Sequence, residues 1–430
     1  MEEDIYQSKS LIKRNSESVL KLRLEEAVDS AEERIKYEAA HNEDLLKALS
    51  IVKMFIKKYR RVCYGGTAMN AILPIKSRFY NPELDLPDYD FFTPDIERDT
   101  AILVKELRAA GFNDVIHRVG VHEGTKKILV NFIPIADISR ISSNIYSVFY
   151  SRSIIKDGIH YTDPDLLRMM MYLELSRPKG MVSRWGKVYE RLQLINSSFP
   201  PKRIGRGQTR KFRPRVPVEI QKLIYKFGIE SQLIFFTGRL EKFYRSIIHG
   251  KNRVFDLNAC GGCIGLFSAS PTEDANAIKQ ILKGEGLQVI TQLHKAKGDI
   301  VPMYIDLHVN GVVVAIILQE VACHSNLVFP TSDGRNILVA SPDTLITLYY
   351  SIILFTKSAA ASLRGIGTDI PKLVDLVEYN RRMKTPAIPP YSTNCRGYQK
   401  GWSTLLREKY TRILSEKDRA SEKMKEVDAY

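Results

Sequence analysis

Two stretches of this chain repeat each other at a nearly fixed distance, and that repeat restricts the fold more than any other feature of its 430 residues. Phe92, Asp99, Leu107 and Gly111 recur 175 residues later as Phe267, Asp274, Leu282 and Gly286. Pro164, Asp165, Leu167 and Tyr172 recur 178 residues later as Pro342, Asp343, Leu345 and Tyr350, while Ala136 and Ser139 meet Ala322 and Ser325 at a distance of 186. Three blocks in one order need only modest gaps between them. The length suits two or three domains. The expected fold is therefore α/β (α+β): a tandem duplication of one unit, each copy a small mixed sheet with helices, plus helical extensions.

The coarse pattern divides the chain accordingly. Residues 1–60 read as a helical lead-in, with Leu45, Leu46, Leu49, Val52 and Phe55 at helical spacing. In the first unit, 61–200, Val62-Cys63-Tyr64 is a short strand running into Gly65-Gly66, and Tyr89 to Phe92 is a second strand. A helix over 97–110 ends at Gly111, and 127–135 reads as a third strand, ended near Pro134. Helices follow from Pro164, capped by Asp163, and around 184–195. A basic linker or loop occupies 201–218; Lys202, Arg203, Arg206, Arg210, Lys211, Arg213 and Arg215 lie there with no acidic residue. The second unit covers 219–393, and 394–430 is a charged helical tail.

A formal net charge of +15 favours a polyanionic partner, because lysine and arginine set against phosphates displace condensed counterions. Nucleic acid is the first candidate, with Lys202, Arg203, Arg206, Arg210 and Lys211 as contacts. No apolar run approaches the roughly 20 residues of a bilayer-spanning helix, and the start, Met1-Glu2-Glu3-Asp4, lacks a signal-peptide layout. A soluble, intracellular protein is expected. Five cysteines suggest reduced thiols rather than a disulfide framework.

Asp88 and Asp90 carry the chemistry. In-line displacement at phosphorus is served by two divalent ions, which need several converging carboxylates. Two residues apart on a strand, Asp88 and Asp90 leave one face while Tyr89 points into the core. Asp137, on a neighbouring strand, is the third carboxylate, placed to bind the metal that activates an attacking 3′-hydroxyl. Gly65-Gly66-Thr67 supplies the other half, since two glycines admit a triphosphate close to the backbone and Thr67 can bond its oxygens. Asn70, one helical turn on, can reach ribose or phosphate, or can serve as a helix-surface or capping residue. An isolated Asp-x-Asp is commonly an exposed loop pair; preceded by Gly-Gly-Thr between a strand and a helix, it points to nucleotidyl transfer.

The pairing of Gly65-Gly66-Thr67-Ala68-Met69-Asn70 with Asp88-Tyr89-Asp90 resembles the DNA polymerase β-like nucleotidyltransferase superfamily. More narrowly, Tyr64 to Asn70, Leu86 to Phe92, and Glu174-Leu175-Ser176-Arg177-Pro178 followed by Arg184-Trp185 look like the poly(A) polymerase catalytic subunits of large nucleocytoplasmic DNA viruses. The resemblance implies tandem nucleotidyltransferase-like domains. It also implies template-independent addition of AMP from ATP to RNA 3′ ends in mRNA polyadenylation, by a two-metal-ion mechanism with two Mg2+ or Mn2+ held by Asp88, Asp90 and Asp137. It offers Arg168, Lys179 and above all Lys187 as triphosphate or primer contacts. It further implies a processivity partner or homodimer, and a location in the cytoplasmic factory of an infected cell or in the virion. One departure stands out: twenty residues separate Thr67 from Asp88, so an insertion is expected between helix and strand.

Aligned with the first copy, the second places Cys263 for Asp88, Gly265 for Asp90 and Cys323 for Asp137. It is expected to be degenerate and catalytically dead, as in poxvirus-like relatives, and kept as scaffold or RNA-binding surface. A competing reading makes Cys260, Cys263, Cys323 and His324 a zinc site. Two rivals remain for the whole chain: another nucleotidyltransferase, such as a uridylyltransferase or second-messenger synthase, and an RNA-binding protein without activity.

Overall fold

The computed structural model of the chain describes residues 2–204, 216–237, 240–251, 253–256, 262–298, 300–356, 359, 363 and 365–427, with side chains between Val19 and Ser415. Two helices lead in, α1 (Glu2–Ala40) and α2 (Glu43–Lys58). The first copy then runs β1 (Val62–Tyr64), α3 (Gly65–Ile72), β2 (Tyr89–Thr93), α4 (Ile96–Ala109), β3 (Val115–Val119), β4 (Thr125–Val130), β5 (Ile133–Arg140) and α5 (Ser143–Arg152). It closes with β6 (Ile154–Lys156), β7 (Ile159–Tyr161), α6 (Pro164–Leu175) and α7 (Trp185–Ser198). The second copy runs α8 (Val218–Glu230), β8 (Ile234–Phe235), α9 (Leu240–Ile248), β9 (Ile264–Ser268), α10 (Pro271–Gly284), β10 (Val289–His294), β11 (Tyr304–Val309) and β12 (Val312–Gln319). After it come β13 (His324–Pro330), β14 (Asn336–Ala340), α11 (Pro342–Phe355), α12 (Ile366–Arg382), β15 (Cys395–Arg396) and α13 (Trp402–Val427). Among the described residues no helix is long and apolar enough to cross a membrane.

The strand orders establish the duplication. The first sheet is β3-β4-β5-β2-β1-β7-β6, and the second is β10-β11-β12-β9-β8-β14-β13 with β15 added at its edge. Register agrees as well as order: Phe92 faces Val62 where Phe267 faces Ile234, and Val62 faces His160 where Ile234 faces Leu338. The 175- and 178-residue repeats thus match structure to structure. The 186-residue repeat does not. Asp90 pairs with Asp137 across β2 and β5, and Gly265 pairs with Ile316 across β9 and β12, so the counterpart of Asp137 is Ile316, not Cys323. The cause is a deletion: α5 has no equivalent, and only Glu320 to Cys323 separate β12 from β13.

Apolar spacing explains the helices that cover each sheet. On α2, Leu45, Ala48, Leu49, Val52, Phe55 and Ile56 are buried in the core of the first copy, and Asn42 caps it by accepting from Leu45 N–H. The N-terminal helical lead-in therefore ends in a helix that belongs to the first sheet. Asp163 and Ser341 cap α6 and α11 in the same way, each followed by a proline at the first turn. These two equivalent helices pack against each other. Tyr350 on α11 bonds Asp165 on α6, while Tyr172 on α6 lies in the field of Asp343 on α11. The copies thus meet as the halves of a two-fold dimer do, each offering the same face. At their centre the buried Arg168 donates to Asp165, Tyr350, Asn196 and the carbonyl of Phe199.

The segment expected as one strand over 127–135 is two antiparallel strands, β4 and β5, turning at Asn131 and Phe132 with φ of 49° and 65°. Two positive φ values make a hairpin turn of the I′ kind, which favours Asn-Gly. The second copy has that dipeptide, Asn310-Gly311. In the first copy an exposed phenylalanine holds the glycine position, which hid the turn. Phe132→Gly should raise stability by about 1 kcal/mol, because a left-handed L-residue costs more than the chain entropy a glycine adds; a urea midpoint no higher than the parent's contradicts this.

Reduced cysteines were expected, but Cys323 and Cys395 form a disulfide, with Cα atoms 5.4 Å apart. It ties the start of β13 to β15, whose Cys395 and Arg396 pair with Ser325 and His324. Antiparallel pairing had brought the two positions together, a proximity that five scattered cysteines do not disclose. The bond also removes Cys323 from the zinc reading; Cys260 lies outside the described residues. Because the bond closes 72 residues, Cys395→Ser should cost about 4 kcal/mol by the loop-entropy relation. A urea midpoint unaffected by this variant and by reductant would show that the crosslink contributes nothing.

Candidate active site

Strand pairing brings the acids together. Asp90 lies inside β2 and faces Asp137, which sits in the middle of β5 rather than beyond its end. Asp88 stands one residue before β2, where its carbonyl accepts from Asp90 N–H in a tight kink instead of continuing the strand. Tyr89 is buried in the core, as alternation requires. Burial, then the charges of Asp88 and Asp137, push the Asp90 carboxyl up to about 8. Crowding and then Asp137 also raise Asp88, although that residue remains exposed. A carboxyl held near 8, as at Asp90, carries its full charge at neutral pH only beside a compensating cation.

One such cation is a side chain. Lys127, opposite Asp137 across the β4–β5 hairpin, places its ammonium 2.5 Å from the carboxylate. Among the described residues no three His, Cys, Asp or Glu side chains are already drawn into a metal cage. The donor set nevertheless suits a hard divalent ion: all oxygen, from two adjacent strands, with Asp90 strained by like charge.

The glycines serve this geometry directly. Gly65 has φ of +75°, and a side chain there would collide with the Asp90 carboxylate. At Gly66 a side chain would strike the Tyr80 hydroxyl and crowd the Arg191 guanidinium. The close approach expected for a triphosphate is thus taken by protein groups here. Thr67 Oγ1 donates to the Asp88 carbonyl at 2.7 Å, tying α3 to the start of β2. Asn70 Oδ1 accepts from Phe79 and Tyr80 N–H at 2.9 and 3.1 Å, so it pins the residues inserted between α3 and β2.

Positive charge lines the opposite wall. Lys187 and Arg191, one turn apart on α7, and Lys127 all bear on Asp88, while Lys127 and Arg184 bear on Asp90. Lys187 is exposed and open to a ligand. Arg191, outside every sequence motif of the site, stacks on Phe79 at 4.8 Å and donates to Tyr80 Oη at 3.1 Å. Its signal was the i, i+4 spacing from Lys187, which puts both on one helix face. Arg168 is elsewhere, sealed between α6, α7 and α11. Lys179 is exposed, and none of the contacts described here joins it to the acids. Lys202 and Arg203 are exposed; Arg206, Arg210, Lys211, Arg213 and Arg215 fall outside the described residues.

The second copy shows what replaced the acids. Its Gly265 lies against the ring of Phe236, the counterpart of Tyr64, so closely that a side chain would collide with it. Phe236 is fully buried. At the position of Lys127 stands Asp306, which bonds His294 at 3.0 Å, and Ile316 fills the place of Asp137. An aromatic ring and an aliphatic side chain occupy the volume of two carboxylates, and no metal site remains among these residues.

Residues 50–181 match the family described as poly(A) polymerase catalytic subunit. A protein of African swine fever virus, provisionally named as such a subunit, is 28% identical over 167 residues, 37% of this chain and 35% of its own length. A similarly named protein of Acanthamoeba polyphaga mimivirus is 30% identical over 187 residues, 42% of this chain and 31% of its own. The matched part thus spans about a third of each relative. The crystal structure of the Megavirus polyadenylate synthase superposes with a TM-score of 0.71 at 17% identity, over 93% of this chain and 83% of that one. The segment that holds Asp88, Asp90 and Asp137 thus matches the poly(A) polymerase catalytic subunit family, within a chain whose fold is similar to that of the Megavirus polyadenylate synthase.

Proposed function

We propose that the chain is a polynucleotide adenylyltransferase, adding AMP from ATP to RNA 3′ ends without a template and so polyadenylating viral mRNA. The observation that carries the reading is the pairing of Asp90 with Asp137 across β2 and β5, with Asp88 one residue before β2 and its charge felt by Asp90, in the segment that matches the family, and the loss of that pair to Gly265 and Ile316 in the second copy. Asp88 and Asp90 would hold two Mg2+ or Mn2+, with Asp137 completing the set. Bound there, such ions supply charge neutralisation and a more acidic 3′-hydroxyl.

The remaining roles fall to side chains in place. Lys127 must yield Asp137 for that carboxylate to serve a metal or a hydroxyl proton. Lys187 and Arg191 would take the triphosphate charge that the acids repel, as donors positioned before the reaction. The second copy would act as scaffold and RNA-binding surface, and the basic run from Lys202 to Lys211 as a further RNA contact.

The test incubates the full chain with labelled RNA, Mg2+ and each nucleotide separately. A ladder with ATP is expected. Extension with UTP instead makes it a uridylyltransferase, and no Mg2+-dependent incorporation with any nucleotide removes the reading.

A further inference from the structure

The segment inserted between α3 and β2, residues 73–88, is held in place by its own hydrogen bonds and by α7. After a 3-10 turn over Ile75–Ser77, Asn70 Oδ1 accepts from Phe79 and Tyr80 N–H at 2.9 and 3.1 Å. Asn81 closes the next turn: its carbonyl accepts from Leu84 and Asp85 N–H, and its own N–H donates to Asp85 Oδ2 at 2.8 Å. Two aromatic rings are fixed between these turns. Phe79 and Tyr80 meet edge to face with centroids 4.6 Å apart, and the Arg191 guanidinium of α7 lies 4.8 and 5.8 Å from them.

Tyr80 is the side chain that this segment delivers to the active site. Its hydroxyl approaches the glycine turn so closely that only a glycine fits at Gly66, while the Asp90 carboxylate imposes the same on Gly65. The polar side chains first expected to meet a phosphate there are engaged elsewhere. Thr67 gives its one hydroxyl proton to the Asp88 carbonyl at 2.7 Å, and the Asn70 amide oxygen holds the two N–H groups of the inserted segment. Tyr80 differs: its Oη accepts from Arg191 Nη2 at 3.1 Å, and among the described residues no group accepts its own proton. Both residues are half-buried rather than sealed in the core. A hydroxyl that accepts from a guanidinium is polarised into a stronger donor, and the positive charge behind it favours an anion in front. The corresponding segment of the second copy, residues 249–263, contains no tyrosine. Its Phe255 is buried against Phe243 and pairs with Thr331, just past β13. The copy that lost its acids thus lacks this hydroxyl as well.

We infer that Tyr80 is a nucleotide-binding residue whose hydroxyl, backed by Arg191, donates to an oxygen of the β- or γ-phosphate of ATP. The inference rests on the proposed activity and gives the inserted segment a task within it. A phosphate is the acceptor that the position selects, because a glycine turn opening a helix gathers backbone donors suited to anions. Gly65 abuts Asp90, where transfer would take place, and Gly66 with Tyr80 stands one residue on. The phosphates beyond the reacting one are therefore those that meet the hydroxyl.

The test measures binding of labelled ATP and of labelled AMP to the full chain by equilibrium dialysis, with Mg2+ and without RNA. Tyr80→Phe removes one oxygen and keeps the ring against Arg191; a matched melting temperature establishes that it folds. ATP binding should weaken roughly tenfold, as for the loss of one donor to a charged oxygen, with AMP binding as in the parent. In RNA extension, KM for ATP should rise by a like factor while kcat stays within about twofold of the parent's. Gly66→Ala forces the hydroxyl away, so it should weaken ATP binding roughly tenfold alone but less than about twofold in the Tyr80→Phe background. ATP affinity in Tyr80→Phe equal to or above the parent's overturns the assignment, since the hydroxyl then only packs or obstructs. Equal losses for ATP and AMP overturn it too, as does a Gly66→Ala loss of the same size in both backgrounds. In each of these cases RNA extension by the parent leaves the activity standing, whereas a parent chain that binds no ATP removes the assignment and the activity together.

Discussion

Asp90→Asn should lower nucleotide transfer by roughly a thousandfold or more while leaving RNA binding close to that of the parent. The amide keeps the shape of the side chain but gives up the charge that the other two acids and Gly65 surround. The same change should stabilise the metal-free protein. Asp90 has a folded pKa of about 8, above the ordinary carboxylate value of 3.8, so its favourable contribution is complete below the unfolded value and is lost as pH rises through about 8. The asparagine variant has nothing to ionise. In chelator it should melt above the parent at pH 8, with the gap closing towards pH 4. An active variant removes Asp90 from the site, and one that melts lower at pH 8 shows that burial and the neighbouring acids are not what raises this carboxyl.

Arg168→Met should cost about 3–5 kcal/mol, among the largest losses of stability expected from one substitution in this chain. The guanidinium is wholly buried and serves Asp165, Tyr350, Asn196 and the carbonyl of Phe199, so its removal takes from Asp165 one of its two arginine partners, Arg152 remaining, and leaves the Asn196 amide oxygen and the Phe199 carbonyl without that donor between the copies. Arg168→Lys should recover little, since one ammonium cannot replace a planar fork with several partners. Denaturant midpoints decide the matter. If Arg168→Met unfolds like the parent yet loses ATP affinity, the side chain contacts nucleotide and the packing role is wrong.

The two glycine- and acid-bearing phrases were legible because chemistry fixes residue types at short range. Gly65, Asp88 and Asp90 lie close in sequence, and each has a side-chain reason to be there. Asp137 depended on strand pairing, and its strand was misplaced because Phe132 occupies a turn position that normally announces itself with glycine. Asn310-Gly311 makes the same turn openly, so the second copy carried the signal the first had lost. The third block of the repeat failed for a different reason. Without α5 the loop to β13 is short, and matching Ala136 to Ala322 bridged a deletion with a coincidence. The Cys323–Cys395 bond could not have been read at all, since its partners lie far apart in sequence.

The contact between α6 and α11 also bears on how many centres the proposed enzyme has in one molecule. Units that meet through a shared face would, if both were competent, present two equivalent centres and could hand a growing end from one to the other. Phe236 against Gly265, with Ile316 beside them, closes one of those centres. What remains is a lopsided pair in which one half keeps its acids and the other is free to diverge, so under the proposed activity any grip on a strand between additions has to come from surfaces that do no chemistry.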